Sequence, residues 1–469
     1  MNVSLKVEIQ KTAAAAWARP GVIASTTRAT SKQDHARRNA LVELGTPDET
    51  RRIAARIKDH TLQNLDTYLK QLAEAVRARG GVVHWASTHQ QARDIVHRIA
   101  VDCDAHTIVK SKSMTSEEID LTAYLEDAGL EVVETDLGEY IVQIAKDHPS
   151  HIVTPIIHKS KLDVARLFAD VLGIDYTEDP RELTLAARKV LREKFRRCDM
   201  GICGVNFAVA ETGTVVLVTN EGNGRLCTSR PKVVVALMGI EKVIPTMRDL
   251  AVFLKLLAKS ATGQRLTVYT SLITGPRRPD DLDGPDEFHL VILDGNRTNI
   301  LASQFRETLR CIRCGACLNT CPVYRNIGGH AYKSVYPGPI GKLISPLLNS
   351  YDQYQELPQS SSLCGACLDA CPVMIDIPAM LIEMRNDLRR KGYLPWSHRV
   401  AFRAWSVAMR SPWLYRVGAA MYRRFVDAGS RDGWNPKLPG PLAGWTDHRD
   451  VPAMAERSFR EQWKTLEDA

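Results

Sequence analysis

The chain has 469 residues, 44% of them hydrophobic and 25% charged, with a formal net charge of +8. This balance excludes a disordered or fibrous chain and allows two or three packed domains, while so mild a charge gives no reason to expect nucleic-acid binding. The start, Met1-Asn-Val-Ser-Leu-Lys, lacks the apolar core of a secretory signal, and no stretch reaches the roughly 18 apolar residues of a spanning helix. Seven of the eleven cysteines crowd into two short runs, as metal ligands in a reducing compartment do and a disulfide framework does not. The expectation is a cytoplasmic protein with no transmembrane segment.

In chain order, residues 1–45 are basic and mixed, with Thr26-Thr-Arg-Ala-Thr-Ser-Lys and His35-Ala-Arg-Arg but no sustained hydrophobic period. They read as an arm or docking segment. At Thr46-Pro-Asp-Glu, a hydroxyl at N-cap, proline at N1 and glutamate at N3 predict a helix start. Leu62, Leu65, Leu69 and Leu72 continue it at helical spacing to Gly80-Gly81.

Over residues 46–300 short β-rich runs alternate with amphipathic stretches. The strands are expected at Val82-Val-His-Trp, Thr107-Ile-Val-Lys, Glu131-Val-Val-Glu, His151-Ile-Val, Thr214-Val-Val-Leu-Val, Lys232-Val-Val-Val-Ala and Leu290-Val-Ile-Leu. Segments such as Ser116 to Gly129 and Lys161 to Gly173 have helical length and period. The pattern predicts an α/β domain with a parallel or mixed sheet covered by helices. Arg277-Arg-Pro-Asp-Asp-Leu-Asp-Gly-Pro is a polar loop before the last strand.

Residues 301–380 hold the cysteine runs, separated by Gly328-Gly-His and Tyr336-Pro-Gly-Pro-Ile-Gly, glycine-rich backbone suited to wrapping an inorganic cluster. Residues 381–469 form a basic helical tail carrying six of the eight tryptophans. It suits docking to a partner or peripheral contact with a membrane surface, or else aromatic packing beneath a solvated basic face.

The run Cys311-Ile-Arg-Cys314-Gly-Ala-Cys317-Leu-Asn-Thr-Cys321-Pro is C-x2-C-x2-C-x3-C-P. At this spacing three thiolates reach one [4Fe–4S] cube and the fourth, before proline, serves another. The second run, Ser361-Ser-Leu-Cys364-Gly-Ala-Cys367-Leu-Asp-Ala-Cys371-Pro, repeats it with Ser361 in place of the first cysteine. Crossed ligation predicts two [4Fe–4S] clusters. Cluster one takes Cys311, Cys314, Cys317 and Cys371, and cluster two takes Cys321, Cys364 and Cys367 with a fourth ligand left open. The candidates for that ligand are a serine oxygen, one of Cys198, Cys203 or Cys227, or solvent, and a three-iron cluster would need none. A structural zinc site would spread ligand pairs across a spacer, whereas here four cysteines fall within one short run and the run recurs. No G-x-G-x-x-G follows a strand into a helix, and Gly222-Asn-Gly224 alone does not make a nucleotide site. The expected role is an electron relay.

From about residue 50 onward the chain resembles the lactate utilization protein B family, the iron–sulfur member of a bacterial three-protein L-lactate oxidation system. The resemblance is carried by Lys110-Ser-Lys-Ser-Met-Thr-Ser-Glu-Glu, Gly204-Val-Asn-Phe-Ala-Val-Ala-Glu-Thr-Gly, Asn220-Glu-Gly-Asn-Gly-Arg, both cysteine runs, Gly328-Gly-His-Ala-Tyr and the tryptophan-rich tail. It implies electron transport during conversion of L-lactate to pyruvate, beside a cysteine-rich redox subunit and a second protein with a lactate-utilization domain. It also implies an α/β domain similar to the sugar-phosphate isomerase and CoA-transferase-like fold, followed by an α-helical ferredoxin-like dicluster domain. In relatives of that α/β fold a turn glutamate does covalent chemistry, and Glu211-Thr-Gly stands in a comparable context. Glu211 is therefore either a nucleophile toward an acid or thioester or the shaper of a turn. An electron carrier for another 2-hydroxy acid, or an adaptor with structural clusters, are the remaining alternatives. Lys110, Ser111, Lys112 and Ser113, following a strand, suit an anion site at the next helix, or Thr115 or Ser116 simply caps that helix.

Overall fold

A computed structural model describes residues 7–447 and 449–467. The chain divides into two compact units, one running to Leu388 and the other beginning at Arg389.

The first unit is built on a six-stranded parallel sheet. Its strands are β1 (Val82–Ala86), β2 (Thr107–Lys110), β3 (Glu131–Glu134), β4 (Met200–Gly204), β7 (Val233–Gly239) and β10 (Glu287–Leu293), in the order β1-β10-β7-β4-β2-β3. A second sheet, ordered β8-β5-β6-β9, joins β5 (Phe207–Val209), β6 (Thr214–Thr219), β8 (Val243–Ile244) and β9 (Tyr269–Ile273). Burial on both faces explains the unbroken apolar composition of β7. Val234, Ala236 and Met238 face a core shared with the helix Leu65–Ala78, while Val233, Val235 and Leu237 face one shared with the helix His89–Asp102.

The connections leave a crevice at a defined place. From β1 the chain moves to β2 and outward to β3, then returns to β4 on the other side of β2 and continues through β7 to β10. The turning point lies between β2 and β4, and the loops leaving their carboxyl ends part there.

Most of the expected strands form, but three local expectations do not hold. His151-Ile-Val is a turn: Ile152 is buried, and His151 Nδ1 accepts the amides of Val153 and Thr154 at 3.0 and 3.1 Å. The long helix predicted from Thr46 to Gly80 breaks at Asn64 into Pro47–Gln63 and Leu65–Ala78, and the Thr46 side chain makes no cap bond. The helix after β2 is capped by Ser113, whose Oγ accepts the Ser116 amide at 3.2 Å, and not by Thr115 or Ser116.

Residues 9–42, expected as an arm, form helices Ile9–Trp17 and Pro20–Val42 (residues 1–6 lie outside the described chain). The second buries Thr26, Thr30, Asp34, Arg37 and Ala40, one stripe at helical spacing made almost wholly of polar residues. Most of their polarity is satisfied internally, the Thr26 hydroxyl excepted: Thr30 Oγ1 donates to the Thr26 carbonyl at 2.7 Å and Arg37 pairs with Asp34 at 2.8 Å. This helix packs on Met247–Thr262 and on Ala316–Thr320, which bears Cys317, and Pro322–Ile327, which Cys321 caps. Gly263 allows the approach, since a Cβ there would stand 2.5 Å from Ala36.

The second unit holds helices Trp396–Arg410 and Pro412–Phe425, a two-strand ladder of Trp434–Asn435 with Val451–Pro452, and a last helix, Phe459–Glu467. Trp396, Trp405 and Trp413 are exposed. Among the described residues no helix is long and apolar enough to cross a membrane.

Candidate iron–sulfur site and the adjoining pocket

The two cysteine runs share one backbone course. In the first, Arg313 and Gly315 adopt positive φ (60° and 76°) on either side of Cys314, and a short helix, Ala316–Thr320, leads to Cys321-Pro322. In the second, Leu363 and Gly365 do the same (55° and 85°) around Cys364, and Ala366–Ala370 leads to Cys371-Pro372. The short helices pack on each other. Ser361 thus occupies the backbone position of Cys311, and its Oγ accepts the Leu363 amide at 3.2 Å. Alternating handedness of this kind turns successive amides inward, a cradle for an anionic sulfur cluster.

Cys311, Cys314, Cys317 and Cys371 line one small apolar cavity with Ile152, Ile340 and Val373. Cys321, Cys364 and Cys367 form the other group: Cys367 lies within electrostatic reach of both partners. Amides already point at two sulfurs, Ile375 N to Cys371 Sγ at 3.3 Å and Tyr324 N to Cys321 Sγ at 3.4 Å. Burial pushes the Cys371 thiol up to about 11 and Cys367 to about 12, and Cys314 and Cys317 well above the ordinary thiol range. Three of these thiols, Cys314, Cys317 and Cys371, share one apolar cavity, where they ionise only if a cation compensates them, and iron is a cation of the right affinity for thiolates. The residues present therefore fit the group. The two sets differ in exposure: the first has Cys314 and Cys371 buried and no exposed member, whereas in the second Cys321 is buried and Cys364 exposed.

The surroundings tie the cysteine loops to the α/β sheet through charges that spacing does not reveal. Arg297, fully buried, pairs with Glu118 at 2.8 Å and Glu241 at 2.6 Å. Glu241 also meets Arg313 at 3.4 Å, and the Arg313 guanidinium lies 4.5 Å over the Tyr336 ring. Arg51 donates to the carbonyls of Cys371 (2.9 Å) and Leu368 (3.1 Å). Lys342, buried beneath both groups of sulfurs, donates to the Ser360 carbonyl. The Gly328-Gly-His segment was expected to wrap a cluster but holds the loop 147–158 instead. A Cβ on Gly329 would fall 1.7 Å from the Ser150 carbonyl oxygen, and His330 Nε2 donates to the His148 carbonyl at 2.7 Å.

Glu211 sits in the turn between β5 and β6, exposed, where Oε2 accepts the Met247 amide at 2.9 Å at the start of the helix Met247–Thr262. Gly213, at φ 70°, presses against Ala75. Cys203 lies in the sheet core, and Cys198 and Cys227 pack with Val109, so none of the three lines the cysteine cavity.

A larger pocket of about 490 Å³ opens where the chain turns between β2 and β4. Ser111, Lys112 and Ser113 line it from the end of β2, Gly204, Val205 and Asn206 from the end of β4, and Arg313 and Cys314 from the first cysteine loop. Lys112 is paired with Glu139 at 2.9 Å, and burial lowers Lys242, which also lines the pocket, to about 8.

Three family models match the chain: the LUD domain over residues 69–293, a 4Fe-4S dicluster domain over 307–375, and the C-terminal region of lactate utilisation protein B over 386–467. Lactate utilization protein B of Geobacillus sp. (strain WCH70) is 48% identical over 92% of this chain and 91% of its own. The proteins of the same name from Shouchella clausii (46%; 91% and 90%) and Bacillus licheniformis (48%; 91% and 90%) are comparably similar. Among solved structures, a DUF162 family protein from Deinococcus radiodurans aligns over 49% of this chain and 98% of its own at 11% identity, with a TM-score of 0.28. With relatives this similar along nine-tenths of its length, the chain belongs to the lactate utilization protein B family.

Proposed function

We propose that the protein carries electrons during oxidation of L-lactate to pyruvate, through two [4Fe–4S] clusters held by Cys311, Cys314, Cys317 and Cys371 and by Cys321, Cys364 and Cys367. The observation that carries this reading is the pair of cysteine loops with one backbone course, which gathers the last cysteine of each run beside the other run. When bound, the clusters supply reversible one-electron transfer. The chain's own part is to insulate and to present. Ile152, Ile340 and Val373 keep water from the first set, Arg313 and Lys342 place positive charge near sulfur, and exposed Cys364 puts the second set where a partner can approach. Ser361, or solvent, completes the second set, or it holds three irons.

The partners in this reading are a cysteine-rich redox subunit and a second protein bearing a lactate-utilization domain, in the cytoplasm. The likeness of the α/β domain to the sugar-phosphate isomerase and CoA-transferase-like fold, and of the cysteine region to ferredoxins, belongs to the same reading. Anaerobic optical and EPR spectroscopy of the protein with its co-expressed partners tests it. L-lactate, and not glycolate, reduces the cluster signals. Reduction by dithionite but not by lactate would keep the carrier and remove the substrate.

A further inference from the structure

The pocket at the β2–β4 turning point has the features of a ligand site. The Lys242 ammonium and three buried polar atoms, one each on Ser111, Asn223 and Arg313, line it without a hydrogen-bond partner. Lys242, 8% exposed, makes no hydrogen bond or ion pair among the described residues. Ser111 Oγ, Asn223 Oδ1 and Arg313 Nη1 are likewise unbonded, although Ser111 is 2% exposed and Asn223 7%. Burying such groups without a protein partner is costly, so the cavity suits a ligand, or water in its place, that pairs them. Its place agrees, because ligands of open parallel sheets bind at the carboxyl ends of strands where the strand order reverses.

The charge pattern selects an anion. Two carboxylates also line it: Asp136 accepts the amides of Gly138 (3.0 Å) and Glu139 (3.2 Å) through one oxygen, and Glu221 accepts that of Leu137 (3.2 Å), while burial and the neighbouring Asp136 push Glu221 up to about 7, so that it gives up part of its charge near neutral pH. Lys242 and the free Arg313 N–H remain. The amides that a phosphate would seek at the nearby helix starts are taken by the Ser113 and Asp136 side chains. A carboxylate needs only the ammonium and the guanidinium edge. Leu217, Leu257, Ala258 and Ala261 offer an apolar wall for the carbon chain behind it.

The geometry points to a binding site for an organic carboxylate whose carboxyl group rests on Lys242 and Arg313, with Ser111 and Asn223 available to a hydroxyl or oxo group beside it. Because Cys314 lines the same pocket, the bound acid lies against the first cysteine set, and its charge opposes reduction there. The site rests on the pocket's own residues, and only its effect on the clusters rests on the electron-carrier reading.

The test is calorimetric titration of the full-length, cluster-loaded protein under argon with pyruvate, 2-oxohexanoate and inorganic phosphate. The first cluster's midpoint potential is followed on the same samples. Both acids bind saturably, 2-oxohexanoate more tightly, and binding lowers the potential. Lys242→Met weakens binding about tenfold or more, as expected for a charged hydrogen bond, Lys242→Arg restores most of it, and Ser111→Ala causes a smaller loss. Methionine replaces an unpaired buried charge with an isosteric apolar chain, so the fold tolerates it, and Ser111→Ala provides a second, milder variant. The proposal is overturned if neither acid saturates, if Lys242→Met binds as the parent does, or if phosphate binds as tightly through the same residues. Dithionite reduction and reoxidation of these samples separates the two readings: clusters that cycle normally without acid binding remove the pocket site and leave the relay intact.

Discussion

The two cysteine sets are near copies in backbone and opposites in surroundings. The first is enclosed by apolar side chains and braced by Arg313 and Glu241, while the second draws on the run that has a serine at its first position and includes exposed Cys364. The same loop course thus serves two tasks. One site is built to be stable and to sit beside a small-molecule pocket, the other to be reached from solution. The largest expected effect tests whether the sets really interlock. Cys371→Ala removes a ligand from the first set although it lies in the second run, and Cys321→Ala does the reverse. Each lowers iron by about half relative to two cubes, and EPR shows the cluster of the opposite run missing. If each variant loses the cluster of its own run, the crossed assignment is wrong.

Next in size is the brace. Arg297→Met strands Glu118 and Glu241, both buried, without their guanidinium. A loss of about 3–5 kcal/mol is expected from denaturant unfolding of the loaded protein, with the cysteine loops detached from the sheet before the sheet itself melts. The second set responds to Ser361→Cys in the opposite sense. A thiolate at the position matching Cys311 completes four sulfur ligands, so iron loss from the second cluster in air slows, while the first is unchanged. Faster bleaching in that variant would show that a fourth thiolate does not fit there.

A pH effect distinguishes the loop that carries Ile152, which lines both cavities. His151 is buried, donates from Nε2 to Asn319 Oδ1 at 3.1 Å and accepts two amides at Nδ1; burial lowers it to about 3. Its stabilising contribution is present above the unfolded value of about 6.5 and is lost as pH falls toward 3, because the unfolded chain takes up a proton that the folded one refuses. Urea unfolding between pH 7.5 and 5 should lose up to about 1.4 kcal/mol per pH unit from this group, and His151→Gln should flatten that slope.

The parts legible in the sequence were those with a short period. Strands buried on both faces announce themselves as Val- and Ile-rich runs, and the cysteine loops by ligand spacing, so β7 and both runs stand where they were expected. Ile152 and Val153 imitated a strand because they are just as apolar, yet their burial is against the cysteine loops. The helix Pro20–Val42 was hidden by the opposite fault, since its buried stripe is threonine, an ion pair and alanine. Glu118, Glu241 and Arg297 were invisible for a third reason: they are ordinary surface-type residues whose partners lie 50 or more positions away, brought together only by the crossover of strands.

The smallest expected effect bears on whether the α/β domain does chemistry of its own at the β5–β6 turn. Glu211 has one visible task, accepting the Met247 amide, and it stands outside the pocket lining. Glutamine keeps a carbonyl oxygen for that bond and loses only the charge near a helix start, a change of about 0.3–1 kcal/mol. Glu211→Gln should therefore leave lactate-dependent cluster reduction, and growth on lactate of cells carrying it, as in the parent. Loss of both with stability intact would mean that the carboxylate itself reacts. The electrons would then originate in, or be controlled from, a turn that the charge pattern of the neighbouring pocket does not include.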